Sequence, residues 1–133
     1  MQTQSARVTF EGVSILIAED EKDLREMIAE TLELYGARIV QAENGLQAVE
    51  MMNKEKIDLI ISDIRMPGGD GILFLNEIRK NDPQLPPFIF ISGFSDFTEN
   101  DAFAKGAQAY FHKPFDMSKF IDKIFGLCKN TIK

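Results

Sequence analysis

The chain has 133 residues, of which 44% are hydrophobic and 27% charged, and carries a formal net charge of −6. This is a globular composition at a length that suits one domain with a real core. The acidic balance excludes a nucleic-acid surface, the lone Cys128 excludes an internal disulfide and a zinc spacing, and no apolar run reaches the ~20 residues that span a bilayer.

Residues 1–12 are polar and aperiodic, which predicts a flexible N-terminal extension. They show no basic-then-apolar leader, so the reading is cytoplasmic, without membrane contact. Val13 to Ala18 is a buried-strand pattern closed by Glu19-Asp20-Glu21. Leu24, Met27, Ile28, Thr31, Leu32 and Tyr35 recur at helical spacing, which predicts an amphipathic helix from Glu21 to Tyr35 with Gly36 after it. Arg38 to Ala42 reads as a strand, and Ala48, Val49, Met51 and Met52 as a helix ending near Lys54. A third strand, Ile57 to Ser62, leads through Asp63 and the breaker Met66-Pro67-Gly68-Gly69 into a helix over Asp70 to Lys80. Phe88 to Ile91 forms a fourth strand, ended by Ser92-Gly93. Asp96 to Lys105 forms a weaker helix with Phe97, Ala102 and Phe103 as its apolar contacts, and Gln108 to His112 a short fifth strand. Phe120, Ile121, Ile124, Phe125 and Cys128 mark a last amphipathic helix, with Asp116 as N-cap.

Buried strands alternating five times with helices predict an α/β fold: a flavodoxin-like, three-layer (βα)5 domain over residues 13–130, followed by a tail, 131–133. Its five-stranded parallel sheet takes the order 2-1-3-4-5. No second core begins after the last helix. In open α/β sheets ligands sit beyond the carboxyl ends of the strands. Those ends carry Glu19 and Asp20, then Asp63, Ser92 and Lys113, while the edge strand ends in Gln41-Ala42 and offers nothing chemical.

Three carboxylates in one pocket repel by about 4 kcal/mol per pair at ~4 Å and an effective dielectric of 20, so they raise their own pKa values or bind a cation. An all-oxygen donor set suits Mg²⁺, with Mn²⁺ as a possible substitute. A cation, a Lys and a hydroxyl would together hold a phosphoryl group on Asp63, because an aspartate can act as nucleophile towards phosphorus.

The segments ILIAEDE (15–21), ISDIRMPGGDG (61–71), FIFISG (88–93) and GAQAYFHKPF (106–115) lie in order along the chain, and together they resemble the receiver domain of two-component response regulators. The resemblance implies that Asp63 is phosphorylated by a histidine kinase or a histidine phosphotransfer protein. It implies a Mg²⁺ site made by Asp20, Asp63 and the backbone carbonyl of Arg65, with Glu19 acting through a water. It assigns a phosphoryl oxygen to Lys113, ahead of a cis Lys113–Pro114 bond, and a phosphoryl contact to Ser92. Tyr110 matches an aromatic that changes rotamer with that hydroxyl. The partners implied are the phosphodonor and a downstream protein or a second copy of the chain.

Two residues depart from the family pattern. Glu19 stands where Asp is commoner, and Arg65 puts a long cation two residues after Asp63. Arg65 and Phe94 are therefore expected to modulate the site. Phe94 and Phe97 read either as core or as a partner surface. No enzymatic activity is expected beyond the domain's own phosphorylation and its reversal. The alternatives are a haloacid-dehalogenase-like phosphatase, which wants an Asp at position 65, and an interaction module that works without phosphorylation.

Overall fold

The computed structural model describes residues 8–93 and 96–131. Along these the elements alternate: β1 (Ser14–Ala18), α1 (Lys22–Leu34), β2 (Arg38–Ala42), α2 (Gly45–Lys54), β3 (Leu59–Asp63), α3 (Gly71–Asn81), β4 (Phe88–Ser92), α4 (Glu99–Ala104), β5 (Ala109–His112) and α5 (Met117–Cys128). All four ladders are parallel, and the order is β2-β1-β3-β4-β5, the flavodoxin-like arrangement expected. Every residue of β3 and β4 is buried, which is why both read as continuous apolar runs. At the edge, β2 buries only Ala42.

Successive side chains of a strand point to opposite faces, so each central strand feeds two cores. Ile15, Ile17, Leu59, Ile61, Ile89 and Ile91 meet Ile28 and Leu32 of α1 and Phe120 and Ile124 of α5. Leu16, Ile60, Phe88 and Phe90 meet Ala48, Phe74, Leu75 and Ala102 on the other side. The helices start close to the strand ends. At Gly71, the first residue of α3, a Cβ would stand 2.1 Å from the Asp63 carbonyl oxygen, and the Gly71 N–H donates to Ile64 O at 2.7 Å. Only glycine lets α3 begin against the end of β3. Asp70 caps the helix, its Oδ1 accepting from Leu73 N–H at 2.8 Å.

Three expectations need correction. On α1, Ile28 and Leu32 are buried as expected and Leu24 packs against the same core, but Met27 and Tyr35 are 43% and 37% exposed, and Arg25 and Ala29 are buried instead. The helix is rotated because Arg25 finds acceptors inside and takes a core position. Next, α4 starts at Glu99 rather than Asp96. Thr98 and Asp101 form a reciprocal capping box that stops the helix from extending backwards, and Phe103 is exposed on its surface.

Third, the domain starts before Val13. Phe10 is fully buried; its N–H donates to Tyr35 O at 2.7 Å, and its carbonyl accepts from Val13 N–H at 3.0 Å. Its ring lies edge-on to Tyr35 at 5.8 Å and 6.4 Å from that of Phe125. Residues 8–12 are thus held by burial of one aromatic between α1 and α5, and residues 1–7 lie outside the described residues. Of the expected tail, Thr131 still donates its N–H to Cys128 O at 2.9 Å. Phe10→Ala is expected to destabilise the domain by about 3–5 kcal/mol, as large-to-small core changes do, read as a lower urea midpoint with an unchanged slope.

Candidate functional site

The carboxyl ends of β1, β3 and β5 bring four of the anticipated side chains together. Glu19 follows β1 and is fully buried, and Asp63 closes β3 at 4% exposure. Lys113 follows β5 and reaches back with its ammonium, Nζ donating to Asp63 Oδ2 at 3.0 Å and to Glu19 Oε1 at 3.1 Å. Asp20 is exposed beside them, and oxygens of Glu19, Asp20 and Asp63 all lie within 4.8 Å of one another. The other carboxylate oxygens of Asp63 and Glu19 are held by backbone. Asp63 Oδ1 accepts from Ile64 N–H at 2.7 Å, and Glu19 Oε2 from Glu21 N–H at 3.0 Å. Glu21 stands at the N-cap of α1, but its side chain makes no cap hydrogen bond.

Burial pushes the Glu19 carboxyl up to about 7, with repulsion from Asp63 as the second cause. The Glu21 N–H and Lys113 oppose that rise without cancelling it. Burial also acts to lower the Lys113 ammonium, but its hydrogen bonds and charge interactions with Asp63 and Glu19 outweigh this and hold it above the ordinary lysine range. The two partners of the pair therefore both shift upward. The cause is stoichiometry: one ammonium is shared between two carboxylates, and Glu19 is the more deeply buried party.

Ser92 closes β4, fully buried, and its carbonyl accepts from Lys113 N–H at 2.7 Å. The Lys113–Pro114 bond is cis, as anticipated. Tyr110 is half-buried, and its hydroxyl donates to Phe97 O at 2.9 Å, on the segment between β4 and α4. Phe97 is core: it is 9% exposed and its ring packs against Phe90 at 5.3 Å. Phe94 lies outside the described residues. The Arg65 guanidinium forms an ion pair with Asp96, so this side chain reaches across to the segment before α4. Together with Ile64, Asp70, Ile72 and Phe97, the pair lines a hollow of about 330 Å³.

Three contributors escaped sequence reasoning. Arg25 is 8% exposed, and it donates from Nη1 to Glu19 O at 2.8 Å and from Nε to Gln41 Oε1 at 3.0 Å. Its signal was present, since 25, 28, 29 and 32 form an i, i+3, i+4, i+7 stripe with a cation at its head. Gln41 corrects the view that the edge strand offers nothing. Ser62, fully buried, donates its hydroxyl to Asp63 O at 2.7 Å.

Three clustered carboxylate oxygens with no Cys or His among them fit a hard, oxygen-liking divalent cation. Without a cation, the raised Glu19 pKa has a defined consequence for stability. Between its ordinary value of 4.5 and about 7, folded Glu19 keeps a proton that the unfolded chain has lost. Stability therefore falls as pH rises through this window and levels off above it. In chelator, Glu19→Gln is expected to gain about 2–3 kcal/mol on wild type between pH 4.5 and 7.5, read as the difference between their urea-unfolding free energies.

Comparison with known proteins agrees with this arrangement. The family model for the response regulator receiver domain matches residues 15–125. Among curated proteins, the chain is 33% identical over 111 residues to sporulation initiation phosphotransferase F of Bacillus subtilis, covering 83% of this chain and 89% of that one. It is 37% identical over 109 residues to the transcriptional regulatory protein ZraR of Klebsiella oxytoca, covering 82% of this chain but 25% of the relative. It thus spans about a quarter of some of the relatives it matches, and nearly the whole of others. Among solved structures, the receiver domain of the Francisella response regulator 1452 superposes with a TM-score of 0.81 at 31% identity, covering 90% of this chain and 98% of that one. The response regulator TrrA of Thermotoga maritima, solved with Mg²⁺ and BeF, gives 0.77 at 32% identity, covering 86% and 98%. The chain belongs to the receiver domains of two-component response regulators.

Proposed function

We propose that Asp63 is the phosphoacceptor of this receiver domain and that Asp20, Asp63 and the Arg65 backbone carbonyl hold a Mg²⁺ ion, with Glu19 joined through a water. The observation that carries the reading is the Lys113 ammonium, 3.0 Å from Asp63 and 3.1 Å from Glu19, beside a third carboxylate. A bound divalent cation would supply the positive charge that lets phosphoryl oxygens approach these carboxylates. The donor would be a phosphohistidine of a kinase or a phosphotransfer protein.

An Asp63 carboxylate oxygen attacks phosphorus, the O–P bond forms, and the N–P bond breaks with its electron pair left on the imidazole nitrogen. The Ile64 N–H holds the second carboxylate oxygen in place, and Lys113 follows the charge onto a phosphoryl oxygen. Ser92 closes the neighbouring strand with its side chain buried, and donates its hydroxyl to the phosphoryl group. Tyr110 responds through the segment it holds at Phe97. Output passes to a downstream protein or a second copy, and the domain turns over no metabolite. A dehalogenase-like phosphatase would need an acid at position 65, where this chain has an arginine paired with Asp96.

Incubation with acetyl phosphate and Mg²⁺ is expected to add one phosphoryl group by intact mass, and Asp63→Asn to add none; multiple turnover of small phosphomonoesters would overturn the reading. Arg65→Asn removes the cation two residues after Asp63 and breaks its ion pair with Asp96. It is expected to speed autodephosphorylation more than twofold, over ~0.4 kcal/mol of barrier, measured as decay of the labelled protein.

A further inference from the structure

We propose that Arg25 is a positioning residue for the divalent-cation site: by holding the Glu19 carbonyl and the Gln41 side chain at once, it fixes the peptide that carries Asp20. This rests on the receiver reading of the site given above.

A guanidinium does not lose its charge in a protein, so burying one is costly unless its donors are met. Arg25 is 8% exposed and occupies the core stripe of α1, where a leucine would satisfy packing. It binds the main chain of Glu19, a member of the acidic trio, yet none of the ion pairs among the described residues includes Arg25. Its donors go instead to one main-chain carbonyl and one amide side chain. That choice leaves the acidic oxygens available for a cation and spends the arginine on geometry.

The geometry in question is that of one peptide plane. A peptide is planar, so the direction of the Glu19 carbonyl sets where the Asp20 nitrogen and Cα lie. Arg25 Nη1 holds that carbonyl at 2.8 Å. Glu19 N–H is committed to Ala42 O at 3.0 Å, and Glu21 N–H to Glu19 Oε2 at 3.0 Å. Asp20 is thus bracketed by fixed groups, although it is the exposed member of the acidic trio and its carboxylate makes no hydrogen bond among the described residues. Its placement comes from its backbone alone. Gln41 completes the clamp from the edge strand, where it pairs in register with Ile17. Outer contacts that orient metal ligands commonly change metal affinity tenfold or more when lost.

The test compares wild type with Arg25→Lys and Gln41→Met in the whole chain. Lysine keeps the charge but has no fork to hold two acceptors, and Gln41 is exposed, so its loss does not threaten the core. Mn²⁺ affinity, by electron paramagnetic resonance, is expected to fall about tenfold in Arg25→Lys and by a smaller factor in Gln41→Met. In the cation-free protein, amide exchange at Asp20 and Glu21 is expected to quicken in both. At saturating Mn²⁺, beryllofluoride still forms its adduct on Asp63. Mn²⁺ affinity within twofold of wild type in the folded variants overturns the proposal, even if their thermal stability drops. Should Arg25→Lys fail to fold, Gln41→Met decides alone. Failure of the wild type itself to bind Mn²⁺ or to form the Asp63 adduct overturns the receiver reading beneath it.

Discussion

Lys113 Nζ lies 3.0 Å from Asp63 and 3.1 Å from Glu19, and both carboxylates are buried. At an effective dielectric of 20, each such attraction amounts to about 5 kcal/mol, against at least about 3.5 for two like charges within 4.8 Å of each other. One shared ammonium therefore makes the two buried acids tolerable, and it does so only if three strands end at the same level. Parallel registers place them there: Ala18 pairs with Ser62, Asp63 with Ile91, and Ser92 with His112. The Lys113 N–H bond to Ser92 O then fixes the point from which the lysine side chain starts. The topology of the sheet and the electrostatics of its end are one constraint seen from two sides.

The strands were legible because burial on both faces leaves a local mark. Every residue of FIFIS is buried, and a run of that kind reads the same in any context. The acidic site was legible because topology converts strand ends into neighbours. The helix faces were harder. On α1 the face with Met27 and Tyr35 competed with the face headed by Arg25, and the second won because two acceptors wait inside for a guanidinium. Hydrophobic periodicity cannot weigh acceptors contributed by another strand. Phe10 was missed for a related reason, since a single aromatic in a polar stretch has no period and its pocket is built by α1 and α5, far along the chain. Thr98 was the opposite case. Its capping box with Asp101 is written in four consecutive residues, and helical spacing overrode it.

The segment before α4 is held from two sides. Tyr110 reaches it from β5, through Phe97 O, and Arg65 reaches it from the loop after β3, through Asp96. Beneath it, the rings of Phe74, Phe88, Phe90, Phe97 and Tyr110 follow one another at 5.4, 5.0, 5.3 and 6.2 Å, from α3 across to β5. Close-packed rings resist small continuous adjustments and favour discrete rearrangements. The exposed ion pair is worth no more than about 1 kcal/mol, so on this side the aromatic contacts and not the charges hold the resting arrangement.

Charge counting shows what phosphorylation would change. Three carboxylates against Lys113 leave two negative charges in excess, and a divalent cation would neutralise them. Phosphoryl transfer to Asp63 replaces one negative charge with about two, so the filled site regains an excess of roughly one. Lys113 cannot absorb it without releasing Glu19, because the same ammonium already serves both acids. The Glu19 side chain reaches Lys113 from full burial, and in the cation-free site that burial is the first cause of its raised pKa, ahead of repulsion from Asp63.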